Sequence, residues 1–259
     1  MNIVVCVKQV PDTYTERTLR PEDSTLDRDA ADGLINELDE YAIEEGLRLT
    51  EANGGEVTIL SVGPERAAES IRKALSMGAD KAVHVSDEGL HGSDALVTSE
   101  VIAKVLGRIG FDLVILGSES TDARMGVMAA MLAERLGVPQ LSYASKVEVD
   151  GTTISINRQA DYGYDTVEGS LPAVVSVVEK INEPRYPSFK GIMAAKKKPV
   201  ETLTLADLDL DAARAGLAAS GTEVVDFAKR PPRQAGTIVT DEGDGGVKAA
   251  EFLASRKFI

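Results

Sequence analysis

Four short apolar runs rich in β-branched residues recur along the first half of the chain. They occupy residues 3–7, 57–62, 81–85 and 113–116. Helical patterns separate or follow them at residues 38–52, 67–77, 94–109 and 127–136. Strands that alternate with helices predict a doubly wound, mostly parallel sheet with helices on both faces. Aromatic residues make up only 4% of the chain and Trp is absent, so a core of Val, Ile, Leu and Ala fits a parallel sheet buried on both faces.

Local signals refine these predicted elements. Ser93 is placed to cap the third helix. After Pro139 the pattern changes to short alternating strands at residues 143–149 and 153–158, joined by the hairpin signal Asp150-Gly151. Residues 166–170 and 173–178 follow in the same style. We expect these segments to add antiparallel strands to the parallel sheet.

The chain loses its regular pattern from Asn182 onward. Pro, Gly and charged residues dominate there, and residues 202–219 offer only a short helix. A region with so little apolar sequence does not form a core of its own. We therefore expect an α/β domain over residues 1–181 and an extended C-terminal arm over residues 182–259 that packs on another subunit. A partly disordered tail is the alternative.

Charge and cysteine content exclude several classes of function. The chain has 28 basic and 42 acidic residues, a net charge of −14, which disfavours nucleic acid and anionic membrane surfaces as partners. Cys6 is the single cysteine, so an intrachain disulfide is excluded and a reducing cytoplasm is expected. The first ten residues predict a strand rather than a signal peptide, and no apolar stretch approaches the ~20 residues that span a bilayer.

The sequence offers little side-chain chemistry. It lacks a Walker A motif, a G-x-G-x-x-G after the first strand and a G-x-S-x-G elbow. His84 and His91 are the only histidines and are not spaced as metal ligands, and His84 is expected to be structural. Cys6 has no activating neighbour in sequence. No catalytic residue and no metal site are predicted, so any redox work requires a bound cofactor.

Ligands of open α/β sheets bind beyond the carboxyl ends of the strands. Cys6 ends the first strand, Val62 ends the second, and residues 117–126 follow the fourth. This last segment combines small residues, three hydroxyls, one guanidinium and the start of a helix, a set that can cradle a phosphate.

Two of these positions also have a simpler explanation. The segment 117–126 can serve as an ordinary helix cap, with Ser120, Thr121 or Asp122 as the capping residue. Asn36 precedes a helix and has Asp39 three residues later, so helix capping explains it as well. From the residues alone, both explanations of the segment 117–126 stay open.

One long segment resembles a known family signature. Residues 172–198, PAVVSVVEKINEPRYPSFKGIMAAKKK, resemble the signature of electron-transfer flavoprotein (ETF) β subunits. Residues 5–12 (VCVKQVPD), 36–45 (NELDEYAIEE), 63–64 (GP) and 71–80 (IRKALSMGAD) are similar to further parts of that family. The resemblance covers nearly the whole chain and implies an adenine-nucleotide-binding, Rossmann-like domain.

The resemblance also implies cofactors and site residues. The family's β subunit buries a structural AMP, and its α subunit holds most of the FAD. Thr13 and Leu38 match positions that face the FAD, and Phe189 matches the exposed apolar anchor that docks partner dehydrogenases. The implied nucleotide contacts are Cys6, Asn36, Glu37, Leu38, Asp39, Val62, Gly117, Ser118, Glu119, Ser120, Thr121, Asp122, Ala123, Arg124, Met125 and Gly126.

By this resemblance the chain is a carrier subunit rather than an enzyme. An α/β heterodimer would take electrons from flavin dehydrogenases of fatty acid oxidation, such as acyl-CoA dehydrogenases, and pass them to an ETF–quinone oxidoreductase type acceptor. One alternative is an electron-bifurcating ETF with FAD in the β site, and another is a nucleotide sensor of the universal-stress type. Only Ala123, Arg124 and Met125 separate Asp122 from Gly126, where relatives often carry a longer polar stretch, and this favours AMP over a second FAD.

The run Lys196–Lys198 is either a solvated stretch or a steering patch for acidic partners.

Overall fold

The secondary structure follows the predicted alternation in the first half of the chain. The computed structural model describes residues 1–233, 236 and 238–259. Its strands are β1 (Asn2–Cys6), β2 (Gln9–Pro11), β3 (Gly33–Ile35), β4 (Glu56–Val62), β5 (Lys81–Val85), β6 (Leu113–Gly117), β7 (Gln140–Asp150), β8 (Thr153–Ala160), β9 (Gly163–Ser170), β10 (Ala173–Val177) and β11 (Val200–Leu203). Its α-helices are α1 (Glu37–Asn53), α2 (Ala68–Met77), α3 (Ala95–Ile109), α4 (Met128–Leu136), α5 (Phe189–Ala195) and α6 (Gly245–Ser255).

The described residues contain one large sheet with the strand order β11-β5-β4-β1-β6-β10-β7-β8-β9. All neighbours from β11 to β7 pair in parallel, and β8 and β9 extend the sheet antiparallel. From β1 the chain moves outward through β4 and β5, and it then returns to β6 on the other side of β1. The strand order therefore reverses between β1 and β6, where doubly wound sheets bind ligands.

Side chains alternate between the two faces of this sheet. Ile3 and Val5 of β1 join the core under α1 and α2. Ile43 of α1 and Leu75 of α2 belong to the same core. Val4 of the same strand joins the opposite core, which includes residues of α3 and α4 such as Leu106 and Leu132. Helices thus cover both faces, and the predicted doubly wound, Rossmann-like α/β fold is confirmed.

The structure corrects the predicted pairing of one strand. Residues 173–178 were expected to add an antiparallel strand, but β10 lies inside the parallel sheet between β6 and β7. All five residues of β10 are buried, as is typical of a central parallel strand. The position of β10 therefore follows from its apolar sequence and not from the antiparallel strands that precede it. The antiparallel addition consists of β8, β9 and the second half of β7.

The expected cap of α3 is also wrong. Asp94, not Ser93, is the capping residue, and its Oδ1 accepts the N–H of Val97 at 3.0 Å. Ser93 Oγ instead accepts the N–H of Gly216 at 2.8 Å. The hydroxyl therefore fixes a later segment of the chain rather than the helix.

The segment after Asn182 is more structured than its composition suggests. The described residues fall into two compact units, Met1–Glu223 and Val224–Ile259. In the first unit β11 pairs in parallel with β5, and Leu203, Leu205 and Leu208 join the core beside α3. The second unit contains α6. In the part of the chain that the structure describes, no helix has both the length and the apolarity to cross a membrane.

Candidate functional site

Asn36 connects the start of α1 to the loop that follows β6. Its side chain is buried, with 1% of the residue exposed. Nδ2 donates to the Glu119 carbonyl at 3.0 Å, and Oδ1 accepts the N–H of Thr121 at 3.0 Å. Asn36 occupies the cap position of α1, but its side chain bonds none of the described N–H groups of that helix, so capping alone does not explain this residue. Asn36 holds the loop instead.

Asp39 is the second residue that holds this loop, and Asn36 and Asp39 together are called the brace. Its Oδ2 accepts the N–H of Lys8 at 2.8 Å, while Oδ1 accepts Asn36 Nδ2 at 2.9 Å and the N–H of Gly117 at 3.3 Å. Burial raises the pKa of the Asp39 carboxyl to about 7, against the opposing effect of these three donors. One side chain thus ties together the ends of β1 and β6 at the point where the strand order reverses.

Gly117 ends β6 in direct contact with the first turn of α1. A Cβ at this position would lie 2.7 Å from both Asp39 Oδ1 and Leu38 Cβ. Only a residue without a side chain allows the loop to leave the sheet this close to the helix. Gly117 is therefore required for the shape of the site.

Asp122, one of the two acidic residues of the loop, is neutralised by two cations. The Asp122 carboxylate lies 2.8 Å from Lys8 Nζ and 3.0 Å from Arg28 Nη2, and only 2% of its side chain is exposed. Burial acts to raise the pKa of Asp122, but the two cations and Ser120 hold it down at about 2. The three charged groups together carry a net charge of +1, which favours an anionic ligand nearby.

Ser120, Thr121 and Asp122 do not cap α4. The capping residue is Val127, whose side chain has no polar atom, and α4 begins at Met128. The helix-cap explanation of this loop is therefore wrong.

Asp122→Asn is expected to destabilise the protein at pH 7 by about 2 kcal/mol. The folded-state pKa lies below that of an unfolded Asp, so the ion cluster stabilises the fold above about pH 4 and this contribution disappears as the pH falls toward 2. Urea unfolding at pH 7 and pH 3 measures the difference between wild type and variant. Glu148→Gln, which breaks the exposed Lys146–Glu148 pair of β7, serves as the control and should cost less than about 0.5 kcal/mol. An equal loss for Asp122→Asn at both pH values would contradict the assignment.

A strap formed by residues 12–32 lies against this edge of the sheet and was not predicted from the sequence. It emerges from the small antiparallel pair β2–β3. Arg17 Nη1 donates to the Thr121 carbonyl at 2.6 Å, and Arg28 pairs with Asp122. His91 Nε2 lies 2.7 Å from Asp23 Oδ2, so the strap is also fixed beyond β5. The strap brings basic side chains to one place in an otherwise acidic chain.

The remaining predicted contacts lie at the same edge with different exposure. Cys6 is buried, and burial raises the pKa of its thiol to about 12, so it is not a nucleophile. Val62 and Leu38 are half-buried, whereas Glu37 and Thr13 are exposed. In the loop, Ser118, Glu119 and Gly126 are half-buried, and Ala123, Arg124 and Met125 are exposed.

Several polar groups at this edge fit a phosphorylated ligand. Thr121 Oγ1 and Ser61 Oγ are buried, yet neither has a hydrogen-bond partner among the described residues. Buried polar atoms are normally paired, so such atoms beside a strand edge indicate a ligand. The Arg124 side chain is exposed and likewise makes no ion pair within the described part of the chain. His84 has no such role, because its Nε2 lies 3.1 Å from the Gly63 carbonyl.

Phe189 lies in a segment that Arg185 and Lys198 hold against α1 and α2. Arg185 pairs with Glu44 at 2.7 Å and Glu51 at 2.6 Å, both on α1. Lys198 Nζ donates to three carbonyls at the end of α2, including Ala79 at 2.6 Å. Between these anchors, Phe189 begins α5 with 81% of its surface exposed.

These contacts revise the interpretation of the lysine run. Lys198 is neither solvated nor free for steering, because it satisfies the unpaired carbonyls at the end of α2. Lys196 and Lys197 are exposed.

The strand order and the loop at the switch point place the chain in the class of doubly wound, Rossmann-like α/β proteins. A family model described as "Electron transfer flavoprotein domain" matches residues 23–208. The chain is 53% identical to electron transfer flavoprotein subunit beta of Mycobacterium tuberculosis (strain ATCC 25618 / H37Rv), over 100% of this chain and 99% of the relative. It is 38% identical to the protein of that name from Thermoanaerobacterium thermosaccharolyticum, over 100% of both chains, and 35% identical to that of Bacillus subtilis (strain 168), over 98% and 96%. The chain belongs to the β subunits of the electron-transfer flavoprotein family.

Proposed function

We propose that this chain is the β subunit of a heterodimeric electron carrier, binds one structural AMP at the carboxyl edge of its sheet and helps to enclose an FAD held by an α subunit. The carrier takes electrons from flavin dehydrogenases, such as the acyl-CoA dehydrogenases of fatty acid oxidation. It passes them to a quinone-linked oxidoreductase and works in the cytoplasm. Full-length similarity to β subunits supports the carrier role.

The observation that carries the nucleotide assignment is the braced loop with unpaired polar atoms. Asn36 fixes the backbone of Glu119 and Thr121, while Thr121 Oγ1 stays buried without a partner among the described residues. The Lys8–Asp122–Arg28 cluster supplies a positive environment. These features suit a small anionic ligand that the protein encloses and does not transform.

The protein's own side chains do not carry the electrons in this proposal. The Cys6 thiol is buried and protonated. The FAD supplies the redox chemistry when it is bound. Leu38 and Thr13 are the residues of this chain proposed to line its β side, and the C-terminal arm over residues 182–259 is proposed to pack on the α subunit.

A ligand count tests the proposal. The chain is co-expressed with its α subunit, the complex is purified, and FAD and AMP are quantified after acid release. One FAD and one AMP per heterodimer is the expected result. Two FADs without AMP would move the assignment to an electron-bifurcating ETF. A chain that is stable alone and binds ATP would instead be a nucleotide sensor.

Phe189→Ala is expected to lower kcat/KM for reduction by a partner dehydrogenase about tenfold, because a rigid, exposed aromatic group is a typical docking anchor. The bound flavin spectrum should stay unchanged. Stopped-flow reduction of the heterodimer measures the rate. Leu96→Ala, which removes an exposed apolar side chain at the start of α3, is the control and should leave the rate unaffected. An unchanged rate for Phe189→Ala, together with weaker assembly, would show that Phe189 packs on the α subunit instead.

A further inference from the structure

Tyr143 adopts a backbone conformation that tyrosine rarely takes. It lies in β7 with φ of +59°, in the left-handed region. The pairing of β7 with β10 shifts register beside it. Ser176, a buried residue of β10, accepts the Tyr143 N–H at 3.0 Å through its Oγ. The sheet therefore maintains an unfavourable conformation at this residue, and such residues cluster at functional sites.

This conformation directs the Tyr143 side chain onto the loop after β6, residues 117–126. Its hydroxyl lies 3.3 Å from the position that a Cβ of Gly126 would occupy. Gly126 itself has φ of +66° and ends the loop. Tyr143 is 38% exposed, and its hydroxyl has no hydrogen-bond partner in the described part of the chain. The side chain thus brings an unused donor from β7 to the loop.

The loop has two further donors without a partner among the described residues. Thr121 Oγ1 is buried and unpaired within the described residues, and Arg124, at φ of +50°, exposes its guanidinium. Asp122 is already engaged by two cations. Ala123 and Met125 have no hydrogen-bonding side chain, so between Asp122 and Gly126 the loop itself offers only the Arg124 side chain. An anionic group with several acceptor oxygens matches this set of donors.

We propose that Tyr143 binds the phosphate of the nucleotide, with its hydroxyl donating a hydrogen bond to a phosphate oxygen beside Gly126. This inference rests on the proposed nucleotide site. It assigns the recognition of the phosphate, as opposed to the nucleoside, to a residue of β7 outside the loop. Tyr143 thereby selects a nucleoside monophosphate over the unphosphorylated nucleoside.

Tyr143→Phe tests the inference because it removes only the hydroxyl. The purified heterodimer is loaded with labelled AMP, and the label is displaced by unlabelled AMP or by adenosine. In the wild type AMP should compete much better than adenosine. In the variant this advantage should fall roughly tenfold, as expected for one hydrogen bond to a charged group. Tyr164→Phe, which changes an exposed tyrosine of β9, is the matched control and should behave as wild type.

The outcomes separate the inference from the proposed function. If the wild type binds AMP and Tyr143→Phe retains the full advantage of AMP over adenosine, the inference is wrong and the nucleotide site stands. Equal losses for AMP and adenosine would also overturn it, because the hydroxyl would then contact the nucleoside or only support the loop. A wild-type heterodimer that binds no AMP would overturn both.

Discussion

Gly117→Ala is expected to destabilise the heterodimer by about 2 kcal/mol, or roughly 5 °C in Tm, and to reduce the AMP retained after purification. The added methyl would lie 2.7 Å from Asp39 Oδ1 and Leu38 Cβ, and 2.9 Å from the Leu38 carbonyl carbon. Neither the Leu38 backbone nor the buried Asp39 can move without disturbing the start of α1. The loop must therefore shift away from its brace. Thermal unfolding at fixed protein concentration, with nucleotide quantified in parallel, measures both effects.

Gly107→Ala is the matched control for this substitution. Gly107 lies inside α3, and a Cβ there would meet no atom within 4 Å. Alanine is a better helix former than glycine, so this variant should gain about 0.5–1 kcal/mol. If Gly117→Ala retained wild-type Tm and AMP content, the close approach of β6 to α1 would not be what shapes the site.

Asp39→Ala is expected to cost about 3 kcal/mol and to release the nucleotide. The substitution removes the acceptor of three donors, the N–H groups of Lys8 and Gly117 and the Asn36 amide. Buried donors left without an acceptor are among the most destabilising consequences of a single substitution. Without Asp39 the Asn36 side chain also loses the contact that orients it toward the loop. Unfolding by urea and the AMP content of the purified heterodimer measure the two consequences.

The control for Asp39→Ala lies in the first turn of the next helix. Glu69 is exposed, so Glu69→Ala removes one negative charge near the start of α2 without unpairing a buried donor. It should change stability by less than about 1 kcal/mol. Similar losses for both variants would assign the effect to the helix dipole and not to the brace.

The sequence predicted those parts of the molecule that local patterns specify. The β-branched runs that became β1, β4, β5 and β6 showed the fold class, because their side chains must be buried on both faces of a sheet. The position of the loop after β6 followed from the rule that ligands bind at the carboxyl edge. Neither conclusion required knowledge of a contact distant in sequence.

Other parts of the site depend on contacts that no local pattern reveals. Asn36 bonds Glu119 and Thr121, more than 80 residues away, while its sequence context indicated only a helix cap. The strap over residues 12–32 is flanked by two strands of three residues each, which are too short to show the alternation of apolar and polar residues typical of a strand. Tyr143 was not predicted as a site residue, because sequence rules associate a positive φ with glycine rather than with an aromatic residue.

The loop after β6 is fixed as far as Asp122 and again at Gly126, and the three residues in between are exposed. Asn36 holds its first half through Thr121, Tyr143 contacts its end at Gly126, and Ala123, Arg124 and Met125 project into solvent. Residues can be added or deleted in that exposed stretch without moving either fixed point. The stretch can therefore change in length and polarity during evolution while the sheet, the helices and the fixed parts of the loop stay as they are.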